Sequence, residues 1–234
     1  MKGTAMRAMK RAAIIALALA ATTSVATAGP DDWKGGAWLH YEASYVHRRD
    51  DASMAPAAGD GLGMAGLRLR GFVSRKLPIG YLVGVDLHAG STNPGGFAYQ
   101  VDLYVAGMGL RLGSVGTAGL AAGVGASGAV GTLDDGVELP VEAFLELGLG
   151  SRLRLLGRAR AVWLGAASGR ADGSRTFAWT DEVDATLGIR LGRRYREWGF
   201  PSGNGYFVGV SYRESEGARM VGGVVGYSVD VGSR

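Results

Sequence analysis

Cysteine is absent from the 234 residues, which excludes disulfides, thiolate nucleophiles, iron–sulfur clusters and cysteine zinc sites. The acylated cysteine of a bacterial lipoprotein is excluded with them. Proline is scarce, at 6 residues, and no Gly-X-Y period is present, so the chain is not collagen-like. The 3 histidines are scattered, so neither a metal site nor a cofactor is expected. Charged residues make up only 20 % against 47 % hydrophobic, a balance that argues against disorder and for one folded domain. What the chain has in excess is glycine, 41 residues, where about 7 % is ordinary usage.

The net charge of +4 comes from one end. Lys2, Arg7, Lys10 and Arg11 precede a stretch from Ala12 to Ala28 that carries no charge and closes on Ala26-Thr27-Ala28. A basic start, an apolar run and a small-x-small cleavage site make a secretory signal peptide, expected over 1–28 and followed by a short lead-in over 29–35. An uncleaved anchor is the other reading, but the apolar core is shorter than the ~20 residues a spanning helix needs. Without residues 1–28 the bases and acids balance, so basicity supports no nucleic-acid partner.

After residue 28 no apolar run is long enough for a spanning helix. The pattern is period-two alternation instead. Leu39, Tyr41, Ala43 and Tyr45 alternate with His40, Glu42 and Ser44; Val137, Leu139, Val141 and Leu145 alternate with Glu138, Glu142 and Glu146. Such segments are strands with two unlike faces. About ten are predicted, near 37–47, 62–74, 80–90, 96–112, 117–130, 136–149, 152–166, 177–192, 205–215 and 218–231, with eight possible. Most exceed the ~5–6 residues of a globular strand and suit a tilted bilayer crossing of ~9–11. Links at 76–79, 113–116 and 150–151 read as tight, and those at 48–60, 91–95 and 167–176 as longer loops on the other side. The stretch 192–204 is long where a short turn is due: it is a plug or cap, or the count is off by a pair.

The charges decide which face points inward. A hairpin centred at Gly150 sets Glu146 opposite Arg154 and Glu142 opposite Arg158. One centred near Ala171 sets Arg158 against Asp184 and Arg160 against Glu182, and one at Pro78 sets Arg70 against Asp86 and Arg68 against His88. All share the even-numbered face. Opposite charges across a ladder stabilise by roughly 0.2–1 kcal/mol per pair, so acidic strands alternating with basic ones predict a lumen filled by an ion network. The solvated outer face of a soluble sandwich is the competing reading.

Aromatic residues collect on the odd face near strand ends. Tyr45, Phe97, Tyr99, Trp163 and Trp179 form one expected girdle, with Trp163 opposite Trp179, and Tyr81 belongs to the opposite rim. Trp38 has the wrong parity and is expected at a strand margin. Gly107, Gly109, Gly119, Gly123 and Gly125 supply small inward residues. On these features the chain resembles, as a class, the small outer-membrane β-barrel proteins of Gram-negative bacteria, over about residues 36–231. That resemblance implies a closed antiparallel up-and-down barrel with a filled polar lumen. It also implies an outer-membrane location, lipid and the barrel-assembly machinery as partners, and a monomer. Such barrels commonly end on an aromatic residue, and here the chain departs by ending Gly-Ser-Arg.

Chemistry is sparse. Asp86-Leu-His88 and Glu182-Val-Asp184 are similar to the Asp-x-His and paired acids of the omptin outer-membrane proteases, which activate a water, but their order is reversed and Arg68 and Arg70 would neutralise the acid. His40, Glu42 and Ser44 on one strand face are spread ~6–7 Å apart, too far for proton relay. Gly61-Leu-Gly-Met-Ala-Gly66 opens a strand, not the helix a dinucleotide fingerprint requires. The expected function is structural or lies in the loops. The alternatives are an outer-membrane hydrolase and a secreted soluble barrel that binds an apolar ligand.

Overall fold

The computed structural model describes residues 33–48, 61–75, 79–93, 95–112, 116–129, 133–150, 152–169, 175–192, 204–215 and 218–233. The expected signal peptide at 1–28 lies outside them. Ten antiparallel strands run in chain order as β1 (Trp33–Arg48), β2 (Gly61–Arg75), β3 (Ile79–Asn93), β4 (Gly96–Leu112), β5 (Gly116–Ala129), β6 (Leu133–Gly148), β7 (Leu153–Gly169), β8 (Arg175–Gly192), β9 (Gly205–Ser215) and β10 (Ala218–Ser233). Each pairs with its neighbours in sequence, and β1 pairs with β10 to close the ring. The fold is a closed up-and-down barrel of ten strands, not eight, and its strands extend past the expected 36–231 at both ends.

Closure removes the exposed edges that an open sheet would have to protect. The links divide between two rims. One, here the loop rim, carries the β1–β2, β3–β4, β5–β6, β7–β8 and β9–β10 connections, and the turn rim carries the others. Because the strands outlast the alternating core, the expected loops at 91–95 and 167–176 shrink to 94–95 and 170–174. The long links are 49–60 on the loop rim and 193–204 on the turn rim. Since the count is ten, that second link is no counting artefact; residues 193–203 themselves lie outside the described residues. At the tight β6–β7 turn, Leu149 N–H donates to the Leu153 carbonyl at 2.9 Å, and Gly150 adopts φ of 144°, a region that other residues enter only with strain.

All three expected hairpin registers are displaced by two residues. Arg68 faces Asp86 and Arg70 faces Gly84; Glu142 faces Arg160, Glu146 faces Leu156 and Gly148 faces Arg154; Arg160 faces Asp184, Arg158 faces Thr186 and Val162 faces Glu182. Trp163 lies opposite Asp181 and Trp179 opposite Gly165, so the two indoles are not a cross-strand pair. A shift of two keeps every side chain on its face, whereas a shift of one would reverse them all.

One device does reverse parity. Val105 is an extra residue in β4, where the pairings to both β3 and β5 shift between Tyr104 and the residues after Ala106. Beyond this bulge the odd positions of β4 turn inward, and β5 follows with Thr117, Ala121 and Ser127 buried. Glycine on the inward face seats large side chains from the next strand. A Cβ at Gly80 would meet the Phe72 ring, one at Gly119 the Phe144 ring and one at Gly226 the Phe207 ring. Trp38 corrects the expectation of a strand margin. It points inward, 4 % exposed, and packs with Phe72, Leu82, Tyr104, Ala121 and Phe144 in an apolar cluster within the lumen.

Candidate functional site: the lumen ion network

The inward faces carry the charge. Arg68, Arg70, Asp86, His88, Glu142, Glu146, Arg154, Arg160 and Glu182 are all buried, and Arg158 and Asp184 are partly so. They sort into three groups along the barrel axis.

In the middle, Arg68 of β2 reaches three acids: Glu42 at 2.7 Å, Asp86 at 3.0 Å and Glu142 at 3.2 Å. Arg70 grips the same Asp86 from its other side and Glu142 at 2.8 Å, with its guanidinium 4.5 Å above the Tyr104 ring, a cation–π contact. His88 Nε2 lies 3.0 Å from Glu42 Oε1. Arg158 stands more loosely, 3.6 Å from Glu42 and 3.4 Å from the Thr186 hydroxyl.

Nearer the loop rim, Arg160 binds Glu138, Asp102 at 2.7 Å and Asp184 at 2.9 Å, while Gln100 donates to Asp102 at 2.8 Å. Arg213 of β9 holds Glu182 and approaches Asp184 at 3.7 Å. Nearer the turn rim, Glu146 is shared by Arg154, at 2.9 Å, and Arg190. Each arginine thus spans between strands, and a guanidinium that serves two or three carboxylates uses its fork of donors in a way lysine could not. The carboxylates of Asp86, Asp102 and Glu138 are fully buried at 0 % exposure. Buried charge of this kind persists only when paired, since removal of one partner strands the other.

Of the sequence-predicted pairs, Arg70–Asp86 forms as expected, though diagonally, and others meet with changed partners. Glu142 engages Arg68 and Arg70 rather than Arg158, and Glu146 does meet Arg154, but diagonally. Arg160 engages Asp184 rather than Glu182. Glu42, Asp102, Glu138, Arg190 and Arg213 complete the network and were not predicted as its members. The first four stand at even positions of alternating segments and were legible by parity; Arg213 stands at an odd position, inward because β9 is out of phase with β8.

The four residues weighed for water activation are engaged separately. Asp86 is held by two arginines, His88 by Glu42, and Glu182 and Asp184 by Arg213 and Arg160. No group of three or more His, Cys, Asp or Glu among the described residues has metal-holding geometry. His40 Nδ1 lies 2.6 Å from the Ser228 hydroxyl across the β1–β10 ladder, a contact that joins the seam of the barrel; Ser228 is 1 % exposed.

The outer face is the inverse. Among the described residues 26 large apolar side chains are exposed, including Val101, Leu103, Leu145, Leu187, Ile189, Val208 and Val225. Of the expected girdle, Tyr45, Phe97 and Tyr81 are about half exposed, Phe97 stacks on Tyr99 at 6.4 Å, and Trp163 faces outward, half-buried. The Trp179 side chain lies outside the described residues. Tyr206 and Tyr227 add a second aromatic pair, 4.7 Å apart, toward the turn rim.

No protein-family model matches the chain, and no curated protein does. Among solved structures it is similar, at 12 % identity, to the translocator domain of the autotransporter NalP from Neisseria meningitidis, over 97 % of each chain with a TM-score of 0.40. It is also similar to two mutants of the monoaromatic hydrocarbon channel TodX. The deltaS2S3 mutant matches at 12 % identity over 86 % of this chain and 68 % of the other, with a TM-score of 0.31. The deltaS2 mutant matches at 12 % over 91 % and 69 %, with a TM-score of 0.33.

Proposed function

We propose that this chain is an exported outer-membrane β-barrel protein whose lumen is closed at rest by the Arg/Glu/Asp network, and whose role is structural or lies in its loops. The inversion of faces carries the reading: apolar outside, charged inside. Burying a Val, Leu or Phe is worth about 1.5–3 kcal/mol. In water, 26 such side chains left roughly half exposed would forgo a sum exceeding the ~5–15 kcal/mol of net stability that a folded domain has. In hydrocarbon the same surface is matched to its solvent, and closed strand pairing satisfies the backbone.

A soluble barrel that binds an apolar ligand needs the opposite arrangement, an apolar lumen. The hydrolase alternative finds no support in a lumen whose candidate acids are each tied to an arginine. Fractionation of expressing cells tests the proposal. Heat-modifiable migration in a detergent-extracted outer-membrane fraction is the expected result, and recovery in the soluble periplasm overturns it.

A further inference from the structure

The lumen is not filled throughout. Among the described residues its cavities include two chambers along the axis. The larger, of about 90 Å³, faces the turn rim and is lined by the aromatic rings of Trp38, Phe144 and Phe207 together with Glu146. The smaller, of about 40 Å³, faces the loop rim and is lined by Met64, Gln100, Asp184 and Arg213. A water needs on the order of 10–15 Å³ of cavity, so both chambers have room for water and polar groups to hold it. Four residues line both: Glu42, Arg68, Arg158 and Thr186. These four are the septum between the chambers.

The septum is unequally built. Arg68 makes three ion pairs at 2.7–3.2 Å, and its side chain is 9 % exposed. Arg158 makes one at 3.6 Å and one long hydrogen bond at 3.4 Å, and its side chain is 18 % exposed. Its buried Nε has no hydrogen-bond partner among the described residues. A second acid is within the same smaller chamber, Asp184, so the guanidinium has somewhere to go when it leaves Glu42.

We propose that the lumen is a latched conduit for water and small cations, in which Arg158 swings from Glu42 toward Asp184 and so joins the two chambers. The proposal rests on the reading of the chain as a membrane barrel. The charge around the path sets the selectivity. With Arg158 withdrawn, the middle group leaves Glu42, Asp86 and Glu142 against Arg68 and Arg70. The loop-side group sets Asp102, Glu138, Glu182 and Asp184 against Arg160, Arg213 and the arriving Arg158. Acid exceeds base in both, and an acid-lined constriction passes cations. Met64, which lines the smaller chamber, is buried in an apolar cluster with Val46, Leu62, Ala98 and Met220, and a methionine side chain is flexible enough to yield.

The test is planar-bilayer recording of the full chain under a KCl gradient, beside vesicle samples scored for insertion by protease protection and heat-modifiable migration. Wild type is expected to insert and stay closed for most of the record. Arg158→Ala is expected to show stepwise conductance with a reversal potential of cationic sign. Thr186→Ala, which thins the septum from the other side and leaves the arginine in place, should raise the open fraction above wild type. Arg152→Ala, at an exposed arginine of the turn rim outside the lumen network, should remain as closed as wild type. Inserted Arg158→Ala barrels that are silent, or that select anions, overturn the latch. If Arg158→Ala fails to insert, a silent Thr186→Ala overturns it instead. Failure of wild type itself to insert overturns the membrane reading, a separate result from a silent barrel.

Discussion

Leu145 and Arg70 stand on opposite sides of the same wall, and the cost of changing either follows from the solvent it meets. Leu145 is outward and 41 % exposed. In the proposed membrane setting an arginine there enters hydrocarbon, so Leu145→Arg should destabilise the barrel by roughly 2–4 kcal/mol in lipid-vesicle unfolding. A neutral result would mean that the faces are inverted. Arg70 instead shares Asp86 and Glu142 with Arg68, and contacts of this kind are non-additive. A double-mutant cycle with Arg70→Ala and Glu142→Ala should give a coupling of about 0.5–3 kcal/mol. The same cycle on Arg158 and Glu142 should couple far less, because Arg158 turns to Glu42 and Thr186.

Bulges and glycine seats act at the scale of the element. The extra residue Val105 stands outside the pairings to both neighbouring strands, on the outward face. The Tyr81 hydroxyl donates to its carbonyl from the neighbouring strand. Tyr81→Phe removes that donor while keeping the ring, and in the proposed membrane setting an acceptor left without its donor costs about 1–3 kcal/mol. The expected loss in urea unfolding should exceed that of Tyr45→Phe, whose ring is equally exposed but serves no bulge. In β5, Gly119 lies beneath the Phe144 ring, which is itself edge-on to Trp38 at 6.4 Å. Gly119→Val should cost roughly 1–3 kcal/mol by overpacking, and Phe144→Leu in the same chain should return part of it. If the double variant is no better than the single, the ring and the glycine do not share that space.

For the whole molecule, antiparallel closure ties the links to sides. The connections at 49–60 and 170–174 both follow odd-numbered strands, so they emerge on the loop rim, while 193–204 emerges on the other. Protease added to intact cells should nick both of the first two links or neither, and should never nick one of them together with 193–204. Any such mixed pattern would contradict ten strands. The three charge groups along the axis also explain why a barrel with so polar an interior is self-consistent: Arg68, Arg70 and Arg160 each tie strands that are distant in sequence, as when Arg160 of β7 binds Asp102 of β4.

Alternation alone determined the ten strands and nearly all of the facing, because a side-chain period of two records which solvent each residue meets. Leu145 outward and Glu142 inward could be read from the chain. That Gly119 lies beneath Phe144 and Gly80 beneath Phe72 was not legible there, because only the folded strands bring those rings over them. Register could not be read this way, because slipping a hairpin by two residues leaves the pattern unchanged. Every expected charge pair was therefore on the correct face, and most were assigned the wrong partner. Only closure of the ring, with the bulge at Val105 and strands that outrun their alternating cores, decided that Arg68 meets Asp86, that Glu142 meets Arg70, and that Trp38 lies inside. The Glu142–Arg70 and Trp38 contacts cross the lumen between strands far apart in sequence, where no local pattern can specify them.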